Sequence, residues 1–203
     1  MHVFGKGAAG GGRLVFSVLL LFFLGGGGNG ERGVSPAAAE RTRHPALSSS
    51  VLEKRIHLLV NSEREEHGLA PLQWDERLSA TARRHGRDMA EHGYFSHGNR
   101  SGEDPTARGL RDGYRCTKRK GAYRLEGLAE NLYQRTLYSS ILYRNDVPTY
   151  TWTSLEEIAR SAVQGWMRSS GHRRNILNPD HDREGIGVAP GEDNWVYIVE
   201  MFC

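Results

Sequence analysis

Apolar residues recur every three or four positions from Leu155 to Met167, at Leu155, Ile158, Ala159, Ala162, Val163, Trp166 and Met167. That spacing stacks them on one face of a helix. Ser154 with Glu157 three places on has the form of a capping box, which satisfies the first backbone donors. Gly171 is expected to end the helix, because glycine enters the left-handed conformation without a Cβ penalty. His172 would then stand just past a rigid helix end. Two further helices are expected upstream. Leu52, Ile56 and Leu59 mark the first, with Glu63–Glu66 on its outer side and Gly68 at its end. Asp75 caps the second, in which Leu78, Ala82, His85, Met89 and His92 recur at helical spacing before Gly93.

Glycine and proline dominate Gly98–Gly113, which predicts loops with at most a short helix over Pro105–Leu110. Tyr133–Trp152 is rich in tyrosine and leucine but has no clean period. Gly185–Ala189 and Trp195–Phe202 are strand-like runs separated by a turn at Pro190–Asn194, so they are expected to pair as a hairpin. Helices, loops, a further helix and a closing hairpin make an α+β chain.

The first fifty residues stand apart from this pattern. Lys6 and Arg13 precede Leu14–Leu24, which is apolar except for Ser17, and Ala37–Ala39 follow. This is the form of a secretory signal, and the run is well short of the ~20 residues that cross a bilayer. Residues 1–39 are therefore expected to be a leader cleaved after Ala39, or a retained N-terminal anchor. Residues 40–50 read as a linker and 51–203 as one domain. Membrane contact is expected only through an uncleaved N-terminus.

Removing residues 1–39 changes the charge. Lys6, Arg13 and Arg32 against Glu31 carry +2, so the formal +3 of the whole chain falls to +1. A chain so near neutral lacks the charge excess of a nucleic-acid binder, and no nucleic-acid partner is expected. One basic cluster remains, Arg115, Lys118, Arg119, Lys120 and Arg124, read as a solvated loop. Cys116 and Cys203 are the two cysteines. In an oxidising compartment an even count permits one disulfide between them.

Eight fragments now fall in a recognisable order: Asn61–Arg64 (NSER), Gly68–Asp75 (GLAPLQWD), Phe95–His97 (FSH), Asp104-Pro105 with Arg108, Glu130-Asn131, Trp166-Met167 with Ser169, Gly171–Arg173 with Asn175–Leu177, and Gly185–Val188 (GIGV). Together they resemble the CAP superfamily, the cysteine-rich secretory, antigen 5 and pathogenesis-related proteins, and most nearly its prokaryotic SCP-like extracellular members. The resemblance covers residues 51–203. It implies an α–β–α sandwich with a small antiparallel sheet between helical layers and a cleft on one side. His97 and His172 match the family's cleft histidines and Glu130 its first cleft glutamate. The second glutamate's place, three residues after Trp166, is held by Ser169, so the full two-histidine, two-glutamate set is incomplete.

Two imidazoles and a carboxylate suffice to hold zinc or another divalent metal with an open position. Alternatively the carboxylate orients a ligating imidazole, or all three groups serve structure alone. Ser96 beside His97 supplies the residue types of a serine hydrolase, but no GxSxG elbow or HExxH helix accompanies it. The resemblance implies a non-enzymatic secreted binding protein. A metal-assisted or serine-type hydrolase and a structural envelope module are the alternatives. Tyr133, Tyr138, Tyr143 and Trp152 are candidates for a groove that takes an extracellular lipid, peptide or glycan. His85 and His92 are expected to be satisfied core or rim histidines, and His57 and His67 to lie at the surface. Asn99-Arg100-Ser101 is a glycosylation sequon.

Overall fold

The computed structural model describes residues 47–203. The leader and most of the linker, residues 1–46, lie outside the described residues. The first helix, α1 (Ser49–Glu66), begins inside the stretch expected to be linker and buries Leu52, Ile56 and Val60 at four-residue intervals. Ser48 precedes it without a side-chain cap. Helix α2 (Glu76–His92) starts at Asp75, whose side chain accepts from the amides of Arg77 at 2.9 Å and Leu78 at 3.2 Å, and ends at Gly93 with φ 64°. Helix α3 (Pro105–Arg111) is the short helix the sequence predicts, capped by Asp104. Helix α4 (Leu155–Arg168) opens on the predicted capping box.

Its end differs from expectation. The chain turns extended at Ser169 (φ −90°, ψ 120°), and a separate helix, α5 (Ser170–Ile176), follows at once. Gly171 lies inside α5 and is not in the left-handed region. Ser169 interrupts the helix because its amide donates to Trp166 O while its carbonyl accepts from Arg173 N at 2.8 Å, closing one helix and opening the next. His172 is therefore a helical residue.

The main sheet has the order β1 (Gln73–Trp74), β7 (Arg183–Pro190), β8 (Trp195–Phe202), β4 (Ala129–Thr136), antiparallel except for the short parallel β1–β7 pair. Alternation along β8 sends Val196, Ile198 and Phe202 to one face and Tyr197, Val199 and Met201 to the other. The first face packs on α1, α4 and α5; the second packs on α2 through Leu78, Ala82 and Met89. Helices therefore cover both faces of the sheet in an α–β–α sandwich, with β4 at the edge. Gly187 permits the close approach of α2. A Cβ there would stand 2.2 Å from Arg83 N and 2.4 Å from the Ala82 carbonyl carbon.

Two hairpins stand outside this sheet: β2 (Thr117–Lys120) with β3 (Tyr123–Glu126), and β5 (Tyr138–Arg144) with β6 (Val147–Trp152). The second falls in the segment whose sequence shows no clean period. A register shift between Tyr138 and Ser140 breaks the alternation there. Cys116 and Cys203 form a disulfide with Cα atoms 5.6 Å apart, tying the end of β8 to the segment before β2.

The NSER fragment has a structural role. Asn61 brackets Leu72, accepting from its amide at 2.7 Å and donating to its carbonyl at 3.0 Å. Buried Arg64 donates to the carbonyls of Ala70, Ile176, Asn178 and His181, fixing the turn that leaves α5.

Candidate functional site

Glu130 sits on the edge strand β4, and the following residue points to the opposite face of the sheet. Its carboxylate is buried and meets two partners. Oε2 accepts from Arg108 Nη2, and Oε1 accepts from His97 Nδ1 at 2.9 Å. Arg108 is buried as well, and its other terminal nitrogen donates to His97 O at 2.6 Å and Glu103 O at 3.0 Å. One guanidinium thus holds both the carboxylate and the backbone of the histidine that it orients. Because Nδ1 carries the proton toward Glu130, Nε2 of His97 presents its lone pair, on a side chain that is 54% exposed.

His172 approaches from α5, on the far side of the β4 edge. Asn131 Nδ2 donates to His172 O at 3.2 Å, and Asn175 Nδ2 donates to Glu130 O at 3.2 Å and to Asn131 Oδ1 at 2.9 Å. These bonds fasten α5 to the strand that carries Glu130. Burial, and then the neighbouring His97 imidazole, pull the His172 pKa below its usual value, which favours the neutral ring. His97, Glu130 and His172 therefore gather around the β4 edge.

Both oxygens of Glu130 are engaged, so its role here is to orient His97. Among the described residues no group of three or more His, Cys, Asp and Glu side chains is arranged to hold a metal ion. The donor set fits a divalent cation only as two imidazoles, with the remaining positions left to water or ligand.

Ser96 Oγ accepts from Gly98 N at 3.2 Å, and Ser96 O is the partner of His85 Nε2 at 2.9 Å. Its hydroxyl thus serves the loop, and no bond from it to a histidine occurs among the described residues. The four aromatic candidates separate. Tyr133 packs edge-on to Trp166 on α4, with ring centroids 6.5 Å apart. Tyr138 and Trp152 cluster with Tyr150, which stacks on Trp152 at 4.8 Å. Tyr143 stands near the hairpin tip beside exposed Leu142 and Val147.

The other histidines among the described residues make structural contacts. His85 is buried, and His92 is exposed and bonded to Asp88 O. His67 is exposed as expected. His57 is not: its ring packs edge-on to Trp74 at 5.5 Å and donates to buried Glu184. His181 stacks on Phe202 and bonds Asn175 O at 3.0 Å. Sequence reasoning left Arg108, Asn131 and Asn175 without roles, although all three lie in the fragments quoted above. It also passed over Glu184 and Glu200. Glu200 carries a usable signal, a single carboxylate within the apolar run Trp195–Phe202.

The sequence matches the CAP family, described as the cysteine-rich secretory protein family, over residues 58–202. The protein YkwD of Bacillus subtilis is 32% identical over 165 residues, spanning 79% of this chain and 52% of its own length. The membrane protein YlbC of the same organism is 33% identical over 136 residues, spanning 67% of this chain and 31% of YlbC. The chain thus spans about half or less of these relatives. Two solved structures share the fold. One is an extracellular protein containing a SCP domain from Bacillus anthracis (24% identity, TM-score 0.55, 76% of this chain and 40% of the other). The other is an outer surface protein from Borrelia burgdorferi (18% identity, TM-score 0.56, 77% and 94%). With the sandwich and the family match both extending over well over half of its length, this chain belongs to the CAP family of cysteine-rich secretory proteins.

Proposed function

We propose that this chain is an exported, non-enzymatic binding protein whose cleft at the β4 edge holds a divalent cation through His97 and His172. In this reading Glu130 and Arg108 set the tautomer and direction of His97, and the open positions of the cation face an extracellular ligand. The arrangement at His97 carries the reading: an exposed imidazole, its Nδ1 fixed by a buried carboxylate–guanidinium pair, leaves Nε2 available beside a second imidazole that favours neutrality. Metal binding needs deprotonated imidazole nitrogen, a form that burial favours at His172.

Export is supported by the Cys116–Cys203 disulfide, a bond that persists in oxidising compartments, and by the basic, apolar and small-residue pattern of residues 1–39. No helix among the described residues is long and apolar enough to cross a membrane. The bonding of Ser96 Oγ to Gly98 N disfavours a serine nucleophile.

Calorimetric zinc titration of the protein beside a His97→Ala, His172→Ala variant tests the reading. Saturable micromolar binding that disappears in the variant is the expected result. Equal weak binding in both proteins would overturn it and leave the β5–β6 aromatic cluster as the ligand surface to examine.

A further inference from the structure

A second concavity, of about 620 Å³, lies between α2, α3 and the loop that joins them, and its walls hold five arginines. Arg84 and Arg87 come from α2, Arg100 from the loop, and Arg108 and Arg111 from α3. The acids in the same wall are Asp88 and Glu91. Three of the arginines are already paired: Arg84 with Asp112 at 2.6 Å, Arg111 with Glu103, and Arg108 with Glu130. Asp88 is likewise taken, by the Tyr94 hydroxyl and by His92. Exposed Arg87 and Arg100 have no ion-pair partner among the described residues, and Glu91, one turn from Arg87, makes none with it.

The buried part of the wall carries unmet polar demand of its own. Arg108 Nε and His85 Nδ1 are buried without a hydrogen-bond partner, in residues each only 1% exposed. His85 Nε2 donates to Ser96 O, so Nδ1 bears a lone pair. Orphaned buried groups of this kind are uncommon and cost stability. Arg108 Nε is a donor that a phosphate oxygen meets, whereas the His85 Nδ1 lone pair needs a donor, such as a hydroxyl on the ligand's organic body.

We infer that this arginine-lined concavity binds a ligand bearing phosphate groups. Guanidinium forks match phosphate and carboxylate oxygens alike, but the two guanidiniums without ion-pair partners carry more N–H donors than one carboxylate accepts. The volume lies within the range of small-molecule sites and exceeds one phosphate, so the ligand carries an organic body or a second phosphate. Phosphate oxygens accept from Arg87 and Arg100, the two guanidiniums of the wall without an ion-pair partner among the described residues. The site shares Arg108 with the β4-edge cleft, yet Arg87 and Arg100 belong to the concavity alone.

Titration calorimetry with inorganic pyrophosphate and with glucose 6-phosphate, in EDTA so that no metal bridges, tests the site. Saturable binding is expected to weaken at least ten-fold in an Arg87→Glu, Arg100→Glu variant and to weaken with added salt. Both arginines are exposed, and a melting curve matching the parent protein's checks that the variant is folded. The His97→Ala, His172→Ala variant should bind pyrophosphate as the parent does, so failure of the cation site and failure of this one are distinguishable. No binding of either probe, or equal affinity in the charge-reversed variant, overturns the inference. Sedimentation with phosphatidylglycerol against phosphatidylcholine vesicles then locates the phosphate. Selective pelleting that pyrophosphate competes away places it on a lipid headgroup, whereas retained pyrophosphate affinity without pelleting makes the ligand a soluble phosphate.

Discussion

Glu184 on β7 and Glu200 on β8 are both fully buried, and each carboxyl influences the titration of the other. Their outer oxygens have separate partners: His57 Nδ1 meets Glu184, and Asn131 Nδ2 donates to Glu200 at 2.9 Å. The two oxygens left over, Glu184 Oε2 and Glu200 Oε1, are buried without a hydrogen-bond partner, and a proton kept on the pair avoids two unscreened buried charges. Burial pushes Glu184 up to about 8 and Glu200 well above the usual carboxylate range. Arg64 counteracts this at Glu184, and His57 and the Asn131 amide do so at Glu200.

The contribution of this pair to stability should therefore fall as pH rises from about 4.5 to about 8. Over that window the unfolded chain loses protons that the folded chain keeps, at about 1.4 kcal/mol per pH unit for each retained proton. His57, His85, His172 and His181 act in the opposite sense, because burial lowers their pKa values and stability drops as they are protonated. The comparison that isolates the pair is Glu200→Gln, whose neutral amide stands permanently in place of a protonated carboxyl. Chemical denaturation at pH 5, 6.5 and 8 should show the variant gaining roughly 1–3 kcal/mol on the parent between the two extremes. Parallel pH profiles would mean that burial does not hold a proton on this pair.

Gly187→Ala should be among the most damaging single-methyl changes in the sheet. The added carbon would press on the backbone of α2 at Ala82 and Arg83, which cannot rotate away as a side-chain tip can. A loss of about 3 kcal/mol or more is expected, read as a lowered denaturation midpoint. Gly68→Ala offers a contrast, because a Cβ there meets nothing within 4 Å and costs only the strain of φ 71°. Gly187 is not in the left-handed region, so similar losses in both variants would show that contact with the α2 backbone costs no more than backbone strain at Gly68.

These residues also show how far the sequence could be read. Helices α2 and α4 follow from caps and three-four periodicity, because both are local properties and both are visible at Asp75 and Ser154. The GIGV fragment marked β7 without revealing why its glycines are needed, since the reason lies on a helix a hundred residues earlier. Gly171 misled because a helix can stop at any residue that turns extended, and Ser169 does so two positions sooner. Family resemblance brought His97, Glu130 and His172 forward as a group. Arg108 stayed in the background because its importance is a matter of burial and of what faces Glu130, which no spacing rule encodes. His57 was misplaced for the same reason: its partner, Glu184, is 127 residues away.

Arg108→Met should separate stability from the geometry of the cleft. It leaves Glu130 buried without its cation, which typically costs about 3–5 kcal/mol. Adding Glu130→Gln removes the stranded charge and should recover part of that loss, while a neutral amide oxygen still faces His97 Nδ1. Nitrogen NMR of His97 provides a readout that a purely structural role would not move. The Nδ1-protonated tautomer should prevail in the parent protein and in the double variant, and mix with the Nε2-protonated form in Arg108→Met, Glu130→Ala. An unchanged tautomer there would show that something other than Glu130 fixes the ring.

The Cys116–Cys203 bond should be the largest single covalent contribution to the fold. It joins residues 87 apart, and loop-closure entropy for that length corresponds to about 4–5 kcal/mol. Cys203 also closes the sheet through its backbone, donating to Arg183 O at 3.0 Å and accepting from Asp182 N at 3.0 Å. A Cys116→Ala, Cys203→Ala variant keeps those bonds and loses only the crosslink, so its deficit estimates the entropic share. We expect a loss of about 3–5 kcal/mol by chemical denaturation, with the zinc and pyrophosphate affinities of the folded fraction unchanged. Both proposed sites lie on elements that the disulfide does not link, His97 and His172 at the β4 edge and Arg87 with Arg100 beside α2. A weakened affinity that tracks the stability loss would instead mean that the crosslink holds one of these sites in shape.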